Sequence, residues 1–186
     1  MLDVEAPHLG HASRMNDLNP VKEACDRAER LIASRAPRRE ILTCLVVAAE
    51  TVSGPGAVAS ILVLDHAGLL RDGASPGLPA DYVSAIDGLK PDAAVGTCAA
   101  AAATGAVVVT PSFLADGKWA ELRHLPLAIG FVGAWSMPIK SAANDRVLGT
   151  FGTYYRDVRQ PTPREVAAIT ALAVIAASAI DGTVPS

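Results

Sequence analysis

Cysteine is sparse in this chain, and its basic residues are spread rather than gathered. The three cysteines among 186 residues, Cys25, Cys44 and Cys98, are odd in number and far apart, and no two form a Cys-x-x-Cys pair. A disulfide framework and a cysteine-based metal or dithiol motif are therefore excluded, and reduced, mostly buried thiols are expected. Lys and Arg total 16 against 19 Asp and Glu, a net charge of −3, and no run of them makes the positive surface that binds phosphates. Nucleic acid is excluded as a partner. The apolar stretches are broken by Gly, Ser, Thr or charge before the roughly 20 residues that a membrane span needs. The first residues mix Asp3, Glu5, His8, His11, Arg14 and Asp17 without the apolar core of a secretory leader. The expectation is a cytoplasmic chain with no membrane partner.

What the chain does have is a globular composition, 51% apolar and 19% charged, at a length that suits one domain. Residues 1–18 read as a flexible tail and 19–182 as the domain. Asn19-Pro20 opens a helix to about Ser34, and Pro37 opens a second, on which Ile41, Leu42, Leu45, Val46, Ala49 and Val52 recur at helical spacing until Gly54-Pro55-Gly56. Ala57–Leu64 is a short apolar run bounded by turns and reads as a strand, followed by a turn at Asp65–Gly68 and a strand from Leu69 to Arg71. A short helix is expected near Ala80–Ile86. Another follows Gly96, with Thr97 as its cap and Gly105 as its stop. Val107–Thr110 is a brief strand, a helix is expected around Lys118–His124, and Phe131–Lys140 and Val147–Tyr155 form a closing hairpin. Thr162-Pro163-Arg164-Glu165 is a capping box that starts a last helix, apolar almost all round, ending at Gly182. These elements describe an α+β fold, an antiparallel sheet with helices packed on it.

At this point the residues resemble the GAF domains common in bacterial signalling proteins, over roughly residues 37–181. The likeness is carried by the Pro37–Leu42 helix start, Leu78-Pro79-Ala80-Asp81-Tyr82, Val95-Gly96-Thr97-Cys98, Trp119 and Trp135-Ser136-Met137-Pro138-Ile139. Val147–Phe151, Tyr154-Tyr155-Arg156 and the Pro161–Glu165 helix start complete it. The resemblance implies a six-stranded antiparallel sheet with the terminal helices on one face. A ligand pocket would lie between the other face and its cover, here residues 72–130. It also implies signalling, here through a separate output protein. Many relatives of this subgroup carry His, Arg and a second Cys where this chain has Ile129, Val132 and Ala134, and an Asp where it has Ser112.

The site residues that follow are Thr97, Cys98, Ser112, Trp119, Ile129, Phe131 and Trp135, with Thr110 and Ser136 as further polar candidates. Cys98 stands at a helix N-terminus, which favours thiolate, but its leading reading is a small buried residue packing under the sheet. The two tryptophans, Trp119 and Trp135, would wall the pocket or fill the core. His66 and His124 are solitary, and His8 and His11 lie in the tail, so no metal cluster is expected. Asp116 and Glu121 flank Trp119 with no base or nucleophile to pair with, and no catalytic residue is assigned. The leading expectation is a small-molecule sensor acting through a homodimer of terminal helices, its cofactor unknown. With Ile129, Phe131, Val132 and Ala134 as lining, the ligand would be largely apolar or singly anionic. Two alternatives stand beside it. One is a reductase like the GAF-fold free methionine sulfoxide reductase, which needs several cysteines near the pocket, or a cysteine redox sensor. The other is a dimerisation scaffold without a ligand.

Overall fold

The computed structural model describes residues 19–182, so the tail expected over residues 1–18 lies outside the described residues. Two helices lead, α1 (Asn19–Ala33) and α2 (Arg38–Ser53), and a hairpin of β1 (Val58–Leu64) and β2 (Leu70–Ala74) follows. The cover then runs through α3 (Ala80–Ile86), α4 (Cys98–Thr104), the short strand β3 (Val108–Thr110), a 3₁₀ turn at Gly117–Trp119 and α5 (His124–Ala128). The long hairpin β4 (Gly133–Lys140) and β5 (Val147–Tyr155) leads into α6 (Pro163–Asp181). All neighbouring strands are antiparallel, in the order β2-β1-β5-β4-β3.

The sheet divides two cores. On one face α1, α2 and α6 pack over Ile61, Trp135, Met137, Ile139, Phe151 and Tyr155. On the other, α3, α4 and the segment carrying Phe113, Trp119 and Phe131 pack over Leu62, Ala134 and Tyr154. Strand alternation makes this division, since successive side chains leave the backbone on opposite sides.

The α+β architecture expected from the sequence is present, with three differences of detail. The sheet has five strands where the resemblance implies six. Beyond β2 the chain makes only a single bridge, Leu70 to Leu89, and Pro91 has no N–H to extend a ladder. The helix expected over Lys118–His124 is instead the 3₁₀ turn and α5. In α5 Pro126 falls in the first turn, where the missing N–H does no harm. The strand expected to stop at Arg71 runs on to Ala74, with a bulge in β2 at Gly73, opposite Ile61 and Leu62.

The capping box at the start of α6 is present: the Thr162 hydroxyl accepts from the Glu165 N–H at 3.2 Å, and the Glu165 carboxylate accepts from the Thr162 N–H at 2.7 Å. The Glu165 side chain is 3% exposed, which would be costly without partners, and it has several. Tyr155 donates to it at 2.9 Å while accepting from the Trp135 indole at 2.8 Å. Arg159 donates to it at 2.9 Å, stacks 3.7 Å above the Tyr155 ring and also donates to the Ser53 carbonyl. One carboxylate thereby joins α2, β4, β5 and α6.

Among the described residues, α6 is long and apolar enough, by length and composition, to cross a membrane, contrary to the expectation from interrupted apolar runs. In this fold its residues Ala168, Ile169, Leu172, Ala173, Ile175 and Ala176 are buried. Its neighbours are β4, β5, α2 and the α1 of its own chain.

Burial works to raise the pKa of Glu165, but the Thr162 N–H and hydroxyl, the Tyr155 hydroxyl and Arg159 outweigh it and hold the carboxyl below its ordinary 4.5. A depressed folded-state pKa contributes stability above the unfolded value that is lost as pH falls through the folded one. Glu165→Gln should therefore cost about 2 kcal/mol near neutral pH and shrink the loss of melting temperature on acidification below pH 4.5. An acid sensitivity identical to the parent's would count against this role.

Candidate functional site

The site begins with a glycine. Ser60, Gly152 and Ser136 lie side by side on β1, β5 and β4, facing the cover. A Cβ on Gly152 would lie 3.0 Å from the Cys98 Sγ, 3.3 Å from the Ser60 Oγ and 3.6 Å from the Ser136 Oγ. The absent side chain is what lets the start of α4 settle on the sheet. The alanines from Ala99 to Ala103 let the rest of the helix follow, with Ala99 to Ala102 buried.

Over that glycine a short polar chain forms. The Cys98 Sγ is 3.1 Å from the Ser136 Oγ, and Ser136 donates to the Thr97 Oγ1 at 2.9 Å, so the Cys98 S–H points its weak donor at Ser136. Because its hydroxyl is engaged there, Thr97 makes no side-chain cap to α4, which differs from the expected N-cap. Burial raises the Cys98 pKa above its ordinary value, outweighing Ser136, Thr150, Thr97 and Tyr154, which act to lower it. The thiolate favoured by a helix N-terminus gives way to a neutral buried thiol, since desolvation exceeds what a seven-residue helix supplies.

Next to these residues is a small cavity of about 20 Å³, enough for roughly one water. Thr97, Cys98 and Trp119 line it, together with Leu62, Tyr82 and Tyr154 among others, and every lining side chain is uncharged. Tyr82 and Tyr154 meet edge to face with ring centroids 5.9 Å apart, and burial raises both phenol pKa values. Two hydroxyls on the sheet floor, Ser60 Oγ and Thr150 Oγ1, are buried without a hydrogen-bond partner. They stand close enough to Tyr154 and Cys98 to influence their titration but outside bonding geometry. The Trp119 Nε1–H is likewise buried and unpartnered.

Asp116 positions Trp119. Its carboxylate accepts from Thr110 at 2.6 Å and from the Lys118 backbone N–H at 3.0 Å, and it pairs with the Lys118 ammonium at 2.7 Å. Partial burial pushes its pKa up, and these partners bring it down to a net value below the ordinary one. The indole that follows packs on Phe113, centroids 4.2 Å apart.

The remaining expected site residues lie elsewhere. Trp135 is on the opposite face of the sheet, because in Trp135-Ser136-Met137-Pro138-Ile139 the alternation sends Trp135, Met137 and Ile139 to the helical core and Ser136 to the cover. It therefore does not wall the cavity. Phe131 stands behind Tyr154 at 5.5 Å, under the Arg156 guanidinium. Ile129 closes α5, and its carbonyl accepts from Arg156 at 2.9 Å. Ser112 is half-buried in a turn, where its carbonyl accepts from the Ala115 N–H. None of these three lines the cavity. Ser60, Tyr82, Thr150, Gly152 and Tyr154 are not among the site residues expected from the sequence. A glycine inside an apolar strand was the available signal for the first contact. Among the described residues, no three His, Cys, Asp or Glu side chains gather as a metal site.

The family model for the GAF domain matches residues 36–181. The chain belongs to the GAF domain family. A curated relative from Methanosarcina acetivorans, the "Methyl sulfide methyltransferase-associated sensor", is 34% identical over 157 residues, covering 84% of this chain and 16% of that protein. The chain thus spans about a sixth of its relative's length. Among solved structures, the GAF domain of a phosphoenolpyruvate-protein phosphotransferase from Coxiella burnetii superposes with a TM-score of 0.71. The two are 19% identical, over 90% of this chain and 94% of that one. A free methionine-R-sulfoxide reductase from Neisseria meningitidis gives 0.66 at 15% identity, over 98% and 96%. At these identities the structures share the fold.

Gly152→Ala should destabilise the protein by about 2 kcal/mol through overpacking against Cys98, and Cys98→Ala by about 1 kcal/mol. The double variant should be more stable than the sum of the two losses, because the smaller residue vacates the space that the new methyl fills. Strict additivity in chemical denaturation would show that the two do not meet.

Proposed function

We propose that this GAF domain senses a small, largely apolar molecule in the cavity beneath α3, α4 and the Trp119 turn. In this reading it acts in the cytoplasm as a homodimer of terminal helices that passes the signal to a separate output protein. The observation that carries the reading is the uncharged cavity, walled by Leu62, Tyr82, Trp119 and Tyr154 with Thr97 and Cys98 beside them. An apolar wall of this kind suits a small apolar molecule. No cation lines the cavity to pair a multiply charged ligand, whose uncompensated burial would be costly, and this favours the neutral end of the expected ligand range. The sensor named among the relatives supports the same class of function.

An enzymatic reading has less support. Cys98 is the thiol at the cavity, whereas Cys25 and Cys44 sit on α1 and α2, across the sheet. A reductase that works through several cysteines has one here. The scaffold reading is favoured by a specific observation, the volume of about 20 Å³, far below the several hundred Å³ of typical ligand pockets. On the sensing reading the cover must therefore move outward to admit its ligand.

The dimer is supported by α6. Although α1 and α2 cover much of it, Ala167, Thr170, Ala171 and Val174 form an exposed stripe at helical spacing, with Val174 58% exposed. Small residues there permit close approach of a second helix.

Native mass spectrometry of protein purified from its own host should show a retained small molecule that is absent after denaturation. Recovery of the bare chain from every preparation would favour the scaffold. Light scattering at micromolar concentration should give a dimer for the parent and a monomer for Val174→Arg. A monomeric parent would remove the dimer from the proposal.

A further inference from the structure

The turn between α1 and α2 holds an arginine where a glycine would fit better. Arg35 has a φ of 58°. Its N–H bonds to the Ile32 carbonyl and that of Ala36 to the Leu31 carbonyl, both at 2.9 Å, which makes the left-handed helix ending that glycine adopts without strain. An arginine side chain offers no local hydrogen bond to offset that strain, as asparagine or aspartate can. Nothing in the fold uses the guanidinium either. Arg35 is exposed and, among the described residues, makes no ion pair or side-chain hydrogen bond, and the same holds for Arg38 three residues on. Both line one groove of about 430 Å³, where the end of α1, the start of α2 and the end of α6 meet. The rest of its lining is uncharged and largely apolar, with Ile32, Ala36, Ile41 and Ala179. No side chain caps α2 at this point, so the positive end of its dipole adds to the two cations. Asp65 and Asp181 lie in the neighbouring groove that shares Arg38, and each already has a cation, Arg71 at 2.9 Å and Arg146 at 3.5 Å.

We infer that this groove docks an acidic segment of a partner protein, with an apolar side chain seated among α1, α2 and α6 and carboxylates paired with Arg35 and Arg38. Charge selects the occupant. Two guanidiniums without a counter-charge complement carboxylates, which arginine binds through a fixed fork of donors. The apolar lining beside them suits the side chains of a protein segment better than a bare inorganic anion. On the signalling reading above, that partner is the output protein, and the groove gives its contact a place and a chemistry. The sensing cavity is a separate site on the other face of the sheet, and the retained-ligand measurement tests it without this groove.

The test titrates the full chain against a fluorescein-labelled peptide, Ser-Leu-Leu-Glu-Glu-Leu-Ser, and follows fluorescence anisotropy in low salt, beside versions with glutamine or lysine in place of glutamate. The acidic peptide should bind about 5-fold tighter than the glutamine peptide, and the difference should fade in about 0.5 M salt. Arg38→Glu should remove that preference with the far-UV spectrum unchanged. Arg35→Gly separates binding from structure: peptide affinity should fall about 3- to 5-fold while the melting temperature rises, because glycine relieves the left-handed turn. Equal binding of the acidic and glutamine peptides overturns the inference, as does an absence of binding by all three. An Arg35→Gly chain that loses stability and keeps its peptide affinity overturns it as well. Tighter binding to phosphatidylglycerol vesicles than to the peptide, lost in the same variants, assigns the groove to a lipid surface instead. Peptide binding found only in a chain ending at Gly182 overturns the inference in favour of residues 183–186 as the occupant.

Discussion

The approach of α4 to the sheet is the contact on which the covered side of this domain depends, and it exists because position 152 has no side chain. With the Cys98 sulfur where a Cβ would be almost touching, the first turn of α4 lies flat over β4 and β5. Thr97 is thereby brought to Ser136, and Gly96 to its hydrogen bond with the Lys118 carbonyl at 2.8 Å. That last bond ties the start of α4 to the turn that presents Trp119. A helix set farther from the sheet would break both bonds and open the space between Tyr154 and Trp119 to solvent. Interior packing leaves little slack for such a shift, so a single missing methyl has consequences several residues away.

The placement of charge on this side of the sheet follows a consistent division of labour. Asp116 and Lys118 hold the Trp119 turn, and Arg156 braces Ile129 and the Phe131 ring. All of them work at the margin of the cover, and none reaches the cavity. Charged residues fix the architecture here, and the interior is left to aromatic rings, aliphatic side chains and hydroxyls. Neutral interiors avoid the desolvation penalty that a lone buried ion would bring, and so tolerate being empty.

Most of the framework could be read from local signals. Helix boundaries such as Ala80–Ile86 and the α6 capping box, and the β5 strand, fall where turn residues and periodicity put them. The side chains of the cavity were less legible, for identifiable reasons. Trp135 was drawn to the pocket by family likeness, although the two-residue period of its own strand assigns it to the helical core beside Tyr155. Ser60 and Thr150 are single hydroxyls inside apolar strands, and nothing local distinguishes a pocket floor from ordinary sheet packing. The segment from Ser112 to Phe131 has weak periodicity, so its path depends on long-range bonds such as Phe113 to Val132, which no window of sequence contains.

The strand order also dictates when this domain can come into being. β5 sits at the centre of the sheet, with Val58 of β1 on one side pairing to Tyr154 and Ala134 of β4 on the other pairing to the same residue. During synthesis β1 and β2 emerge early and can form a hairpin, but one edge of β1 stays open until the ribosome has released residues some ninety positions later. The helices α1 and α2 meet α6 only after that. A nascent or truncated chain ending before Val147 consequently carries an unpaired, apolar strand edge of the kind that recruits other chains. Folding of the domain thus waits on its last two elements, β5 completing the sheet and α6 closing its helical face.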